Sequence, residues 1–515
     1  MAASDVGIRV LAVLVALYLA VVTGQFFLKC RRPPHYPPGP PGVPLLGNIL
    51  DVPLAKPFIA FHAWTKHYGS ILGLKLGPAN LIVLSDPLVV RELFERRGGK
   101  YSDRPYNYIA DQHIVPSEHG KTLHIIFMKR DESWREWLAS ELVRDILLEP
   151  DRYFDHIRKW GLMTPFVAIC GRRHVNEEVI KNFYDTQHTW LDLLEPGKTP
   201  PVDFLPFLRW VPGFLAKWKR DAAFVRASQK SFYAELLASA RKQLATTSLD
   251  KTADGKGTYE CLMSRILRED KSGRWSDARV AYLGGGLLDA AVDTTVSTLQ
   301  TLLLILAAFP HVANRAQVEI DEICGDMPPQ GAALKEMPYL RACILETLRW
   351  RPATPTTLPH CLSEDDVFRG QFLPKGSTVL QNTWAIHHNE AYYESPEVFD
   401  PGRYLITPSG MRPEVVKEHP EDLGRQAWIF GVGRRGCPGE QFGQQAISIT
   451  VAKLLWAFDI EAAGPLDTSI ETGFHPGLVM GPNPFKVRFI PRSDSRRRAV
   501  LEDYRTSEEL MSQIL

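Results

Sequence analysis

Charge of one sign is what this 515-residue chain lacks most clearly: 60 Lys and Arg stand against 59 Asp and Glu, for a net charge of +1. A chain so balanced carries no overall basic field for a polyanion, which argues against nucleic acid as a partner. Cysteine is also sparse. The seven, at positions 30, 170, 261, 324, 343, 361 and 437, have no regular spacing, no CxxC pair and no zinc-like cluster. That excludes a disulfide framework and a structural zinc site on pattern grounds, and an odd, scattered set suits a reducing compartment. Internal repeats and low-complexity tracts are absent too.

What is present begins with a hydrophobic fraction of 45%, ample for a large core, beside an ordinary 23% of charged residues. Length alone suggests about three domains, but only as a prior, because large helical enzymes form one continuous unit. Residues 10–28 are almost wholly apolar and are followed at once by Lys29, Arg31 and Arg32. About 20 such residues cross a bilayer core, and the basic cluster places their C-terminal end in the cytosol. A cleaved signal peptide is the rival. Its apolar core is normally shorter, and residues 20–24 make a mediocre cleavage site, so an uncleaved anchor over 8–28 is favoured. A basic, proline-rich hinge over 29–44 follows, stiffened by prolines into a semi-rigid spacer.

Apolar periodicity predicts helices over 57–68, 87–96, 276–309, 314–324 and 338–349, and strands over 71–76, 81–84, 379–382 and 486–489. Residues 250–257 and the charged tail over 493–515 read as exposed loop and terminus. The fold class is mainly α with small β sheets, in a body over 45–492.

One ten-residue stretch carries the chemistry: Phe430-Gly431-Val432-Gly433-Arg434-Arg435-Gly436-Cys437-Pro438-Gly439. A thiolate is the form of cysteine that binds metal, and nearby cations favour it. Glycines let backbone approach a flat ligand, and arginines pair with carboxylates on one. With Phe430, Gly433, Arg435, Cys437 and Gly439 at F-x-x-G-x-R-x-C-x-G spacing, the chain resembles the cytochrome P450 family of haem-thiolate monooxygenases. A free cysteine in a surface loop is the bland alternative. The resemblance implies a P450-like fold, a haem whose iron takes an axial thiolate from Cys437, and Phe430, Arg435 and Gly439 as haem neighbours. Arg435 matches the arginine that contacts a haem propionate, and His360 stands where relatives often place a second such contact.

Glu346 and Arg349 lie three apart on a predicted helix and so share a face. E-x-x-R is usually a solvated pair, but a buried one needs further partners, and Arg403 in Pro401-Gly402-Arg403-Tyr404 supplies a third member. By resemblance these three are structural and lock the core behind the haem. Asp293 and Thr294 lie inside the long apolar helix, where polar groups are costly unless paired. A helical Thr bonding the carbonyl one turn back is the bland account. By resemblance the pair is catalytic and helps deliver protons to bound dioxygen. Ala291 replaces the usual second glycine and adds a methyl group at the oxygen groove.

The family's W-x-x-x-R is broken: after Trp134, or the alternative Trp137, the arginine position of the nearest match holds Leu138. The rest of that helix and the connection to the next are missing by comparison with relatives. Trp134, Trp137 and Arg135 are therefore doubtful haem contacts. The resemblance is to fungal microsomal members, many of which tailor terpenoids or polyketides. It implies pocket walls at 101–114, 183–214, 283–293, 353–357 and 473–479. It also implies a lipophilic small-molecule substrate, O2, electrons from NADPH through NADPH-cytochrome P450 reductase, and a single-pass location in the endoplasmic reticulum membrane with the catalytic domain cytosolic. Two other readings stay open: an impaired or inactive relic, motivated by the shortened region near Trp137, and a haem-thiolate isomerase or dehydratase needing no reductase, against which Asp293 and Thr294 argue.

Overall fold

The computed structural model describes residues 2–105, 117–118, 121–122, 133–195, 197–203, 206–249, 260–270, 273, 275–424 and 427–514. Helices dominate, and the strands gather into small sheets. The organising element is the 32-residue helix Asp277–Ala308. Ser276 caps it, its hydroxyl accepting from the Arg279 N–H at 3.3 Å, which satisfies one of the donors left over at a helix start. Residues 296–307 are buried on every side, the mark of a core helix. The helices Tyr153–Cys170, Lys217–Leu249 and Glu440–Ala457 pack around it.

That helix opens along one stretch. Ala290 is exposed, and Gly286, Leu287, Asp289, Asp293 and Thr294 are half-buried. Gly286, Ala290 and Thr294 recur every four residues and so share one face, the side on which the core does not close over the helix.

Ile71–Leu76 and Ala79–Leu84 form a hairpin, Thr378–Gln381 adds parallel to the second strand, and His360–Cys361 closes the sheet antiparallel. The proline-rich segment expected as a semi-rigid spacer packs against this sheet. Tyr36 is buried, with its hydroxyl 3.2 Å from the carbonyls of Leu74 and Leu81, and Arg32 donates to the Pro40 carbonyl at 2.7 Å. Before it, Ala2–Cys30 is a helix whose window Val13–Cys30 is apolar enough to cross a membrane and is only 6% buried.

The tail after Ser493, read as an exposed terminus, is instead the helix Asp494–Ile514, packed against Ser133–Leu148. Its charge conceals a stripe with Val500 and Met511 buried, and polar bonds complete the contact. Asp503 accepts from Lys453 at 2.5 Å and Ser140 at 2.7 Å. Glu508 accepts from the Trp137 indole at 2.6 Å. Ser133–Leu148 itself is an unbroken 16-residue helix, joined to Tyr153–Cys170 by one short turn at Pro150–Arg152. The reading of residues 250–257 as a loop lies outside the described residues.

Candidate active site

The Cys437 loop is built from two short turns, Trp428–Phe430 and Gly433–Arg435, leading into Glu440–Ala457. The Cys437 N–H donates to the Phe430 carbonyl at 2.7 Å, which closes the loop. Gly433 has φ +68°, and a Cβ there would sit 2.2 Å from the Phe94 carbonyl oxygen, so the loop reaches its seat only with glycine. Cys437 is exposed, the other six cysteines are buried or half-buried, and none of the seven is in a disulfide. Its sulfur lies just before a helix N-terminus, where the helix dipole favours an anion. Phe430 and Gly439 are half-buried, and a Cβ at Gly439 would lie 3.8 Å from the Cys437 sulfur.

Beside the loop, positive charge converges. Arg435 donates to the Ser102 carbonyl at 2.8 Å. Arg104 donates to the carbonyls of Leu358 and Pro359 at 3.0 and 2.7 Å. Desolvation and the nearby Arg435 charge push Arg104 down to about 10. His360 bonds the Tyr101 carbonyl through Nδ1 at 2.8 Å and stacks on Phe94 at 3.9 Å. Burial, resisted by that bond and reinforced by Arg104 and Arg435, pushes its imidazole down to about 4. Among the described residues no carboxylate closes on Arg104 or Arg435. Such a cluster fits an anionic ligand. Arg104 escaped the sequence reading because only the fold brings it to Arg435.

On the open face of the central helix, Thr294 donates to the Ala290 carbonyl at 2.9 Å. Asp293 keeps Oδ2 buried without a partner. Burial raises its carboxyl above the ordinary range, opposed by His188, Gln187 and Arg158.

Glu346, Arg349 and Arg403 come together in the core. Arg349 is bidentate on Glu346 at 2.7 and 2.8 Å, and Arg403 adds a bond at 3.1 Å. The Asp400 N–H donates to the same carboxylate at 2.9 Å, and Arg349 also donates to the His387 carbonyl at 2.8 Å. A buried ion pair persists when its remaining lone pairs and protons are satisfied in this way.

One expectation changes, and one doubt is matched by the geometry. Phe207, Trp210 and Phe214, inside the expected wall 183–214, are 58%, 84% and 77% exposed; they lie on the outer surface rather than in a pocket wall. Trp137 and Arg135 are engaged elsewhere, with Glu508 and, at 2.7 Å, Gln445. The Trp134 side chain, like residues 106–114 of another wall, lies outside the described residues.

The family described as Cytochrome P450 matches residues 37–139 and 156–489. The unmatched interval, 140–155, begins just after the broken W-x-x-x-R and covers the second half of the helix Ser133–Leu148 and the turn that follows it. Relatives include cytochrome P450 monooxygenase yanC of Aspergillus niger, 30% identical over 96% of this chain and 97% of its own length. Cytochrome P450 monooxygenase fogE of Aspergillus ruber is 31% identical over 98% and 95%. Cytochrome P450 monooxygenase grgG of a Penicillium species is 32% identical over 93% and 92%. These matches do not favour the inactive relic. An exposed thiol in a glycine-bound loop and neighbouring arginines that bond only backbone carbonyls among the described residues suit a haem with two carboxylates, and the family match with these relatives establishes that the chain belongs to the cytochrome P450 family of monooxygenases.

Proposed function

We propose that the protein is a membrane-anchored monooxygenase that oxidises a lipophilic small molecule, in fungal secondary metabolism. One oxygen atom of O2 enters the substrate and the other leaves as water, with two electrons from NADPH through NADPH-cytochrome P450 reductase and two protons. The observation that carries the reading is the convergence of the Cys437 loop with Arg104, Arg435 and His360. Haem, when bound, supplies the oxidation chemistry, and an axial thiolate favours O–O cleavage.

The chain's residues do the rest. Cys437 is the proposed ligand, Phe430 and Gly439 border it, and Arg435, Arg104 and His360 hold the carboxylates. His360 already uses Nδ1 on a carbonyl, so it joins the two arginines only where a bound carboxylate draws a proton onto Nε2. Asp293 is the proton source. A carboxyl held above its ordinary range keeps a proton closer to neutral pH, which suits a general acid. Thr294 passes the proton on by turning its hydroxyl away from the Ala290 carbonyl. Glu346, Arg349 and Arg403 hold the framework. The helix Ala2–Cys30, apolar and little buried over Val13–Cys30, anchors the chain in the endoplasmic reticulum membrane.

The test is turnover with reductase and NADPH under labelled dioxygen, for wild type, Asp293→Asn and Thr294→Ala. Label enters product in the wild type. Both variants consume NADPH but divert reduced oxygen to hydrogen peroxide, lowering product per NADPH by about 10- to 100-fold. Product formed without NADPH would instead favour isomerase chemistry.

A further inference from the structure

Four large apolar side chains stand out of the surface within one short stretch: Phe207, Trp210, Phe214 and Leu215. They belong to the bend between the helices Glu177–Leu194 and Lys217–Leu249, which contains the short turn Pro206–Trp210. Two cations of the second helix pin that bend. Lys219 donates to the carbonyls of Arg209 and Val211 at 2.7 and 2.9 Å. Arg220 donates to those of Gly213 and Phe214 at 2.9 and 2.8 Å. A backbone tied down in this way holds the rings out in water.

Beside the rings, the same two helices border a cleft of about 430 Å³. Its apolar walls are Leu193, Leu208, Val211, Leu215, Trp218 and Phe224. Its charged rim is paired, Lys198 with Asp192 at 2.6 Å and Lys217 with Asp221 at 2.5 Å. The charges lining the cleft therefore cancel, and the apolar walls are what is left for a ligand. Next to Lys198, a Cβ on Gly197 would sit 2.7 Å from the Leu54 side chain. Leu50 and Leu54 are exposed, so the segment that follows the spacer brings more bare apolar surface to the edge of the cleft.

We infer that this face is a second membrane contact, with the rings of the bend in the bilayer and the acyl chain of a phospholipid in the cleft. This rests on the membrane-anchored reading above. Exposed apolar patches mark interaction surfaces, and tryptophan is favoured where a bilayer meets water. A cleft of this size with mostly apolar walls suits an apolar ligand. A soluble ligand would fill the cleft and still leave Phe207, Trp210 and Phe214 in water, whereas a bilayer covers both. Cancelled charges at the rim match a zwitterionic headgroup better than an anionic one. An anchor on the same chain holds the body beside the bilayer at high effective concentration, so a modest second contact is enough.

The test places the haem-loaded full chain in phosphatidylcholine vesicles with plain or dibrominated acyl chains, floats the vesicles and compares tryptophan emission. Bromine quenches at contact range, and the helix Ala2–Cys30 holds no tryptophan, so any loss reports the body. The wild type loses emission in the brominated vesicles. Trp210→Phe removes the larger part of that loss, Trp218→Phe the smaller part, and the two together remove it. Leu215→Asp, at an exposed position on the cleft, shrinks both parts and gives a second reading if Trp218→Phe does not fold. A loss unchanged by Trp210→Phe overturns the contact. A loss unchanged by Trp218→Phe and by Leu215→Asp overturns the acyl chain in the cleft. Floated protein with no loss, the result if a second copy covers the face, overturns the inference and leaves the anchor. Protein that does not float removes the anchor reading as well.

Discussion

At the scale of single residues, a few side chains decide whether the interior holds together. Glu346 and Arg349 are completely buried and Arg403 nearly so. Removing one partner strands the others, so Glu346→Ala should cost about 3–5 kcal/mol, read as a lower midpoint in guanidinium unfolding. A change within error would make the trio dispensable. His360 carries a pH prediction. Its imidazole is held down to about 4 from an ordinary 6.5, so the folded chain stays neutral there where the unfolded chain takes a proton. Its contribution is full above about 6.5 and is lost as pH falls toward about 4, on the order of 3 kcal/mol in all. In haem-free protein, the stability difference between pH 7 and pH 5 should therefore be smaller for His360→Gln than for wild type. Identical differences would contradict this. The Cys437 loop and E-x-x-R were legible in sequence because their chemistry is set by local spacing. Arg104 was not, because its meaning comes from a partner far along the chain, Arg435.

At the scale of elements, strongly periodic segments were legible. The predicted helix over 276–309 is Asp277–Ala308, and the strands over 71–76 and 81–84 pair as expected. The C-terminal helix was not, because its apolar stripe is thin and its docking uses charge. Lys453 is 2% exposed and meets Asp503 at 2.5 Å. Asp503→Ala should leave a buried ammonium without its carboxylate and cost about 3–5 kcal/mol, while the double change Lys453→Met with Asp503→Leu restores most of the stability. Urea unfolding of the three proteins decides it. If the double change is as damaging as the single one, the ion pair is not what holds the helix. The same contact engages Trp137 through Glu508, so this helix holds one of the two tryptophans beside the broken W-x-x-x-R.

At the scale of the whole molecule, the apolar N-terminal helix stands off the body, only 6% of its window buried, while the spacer behind it is fastened to the sheet by Tyr36. Deleting residues 2–30 should move the protein from the carbonate-resistant membrane fraction to the carbonate-washed one; equal retention would show that other surfaces hold it. The central claim is that Cys437 gives a haem its axial thiolate in a body whose surrounding core is intact despite the broken W-x-x-x-R. The most direct measurement is the reduced, CO-bound absorption spectrum of the full chain with Cys437→Ala beside it. The account predicts a strongly red-shifted Soret band in the wild type that disappears in Cys437→Ala. A well-folded wild type without that band, or a variant that keeps it, would contradict the account.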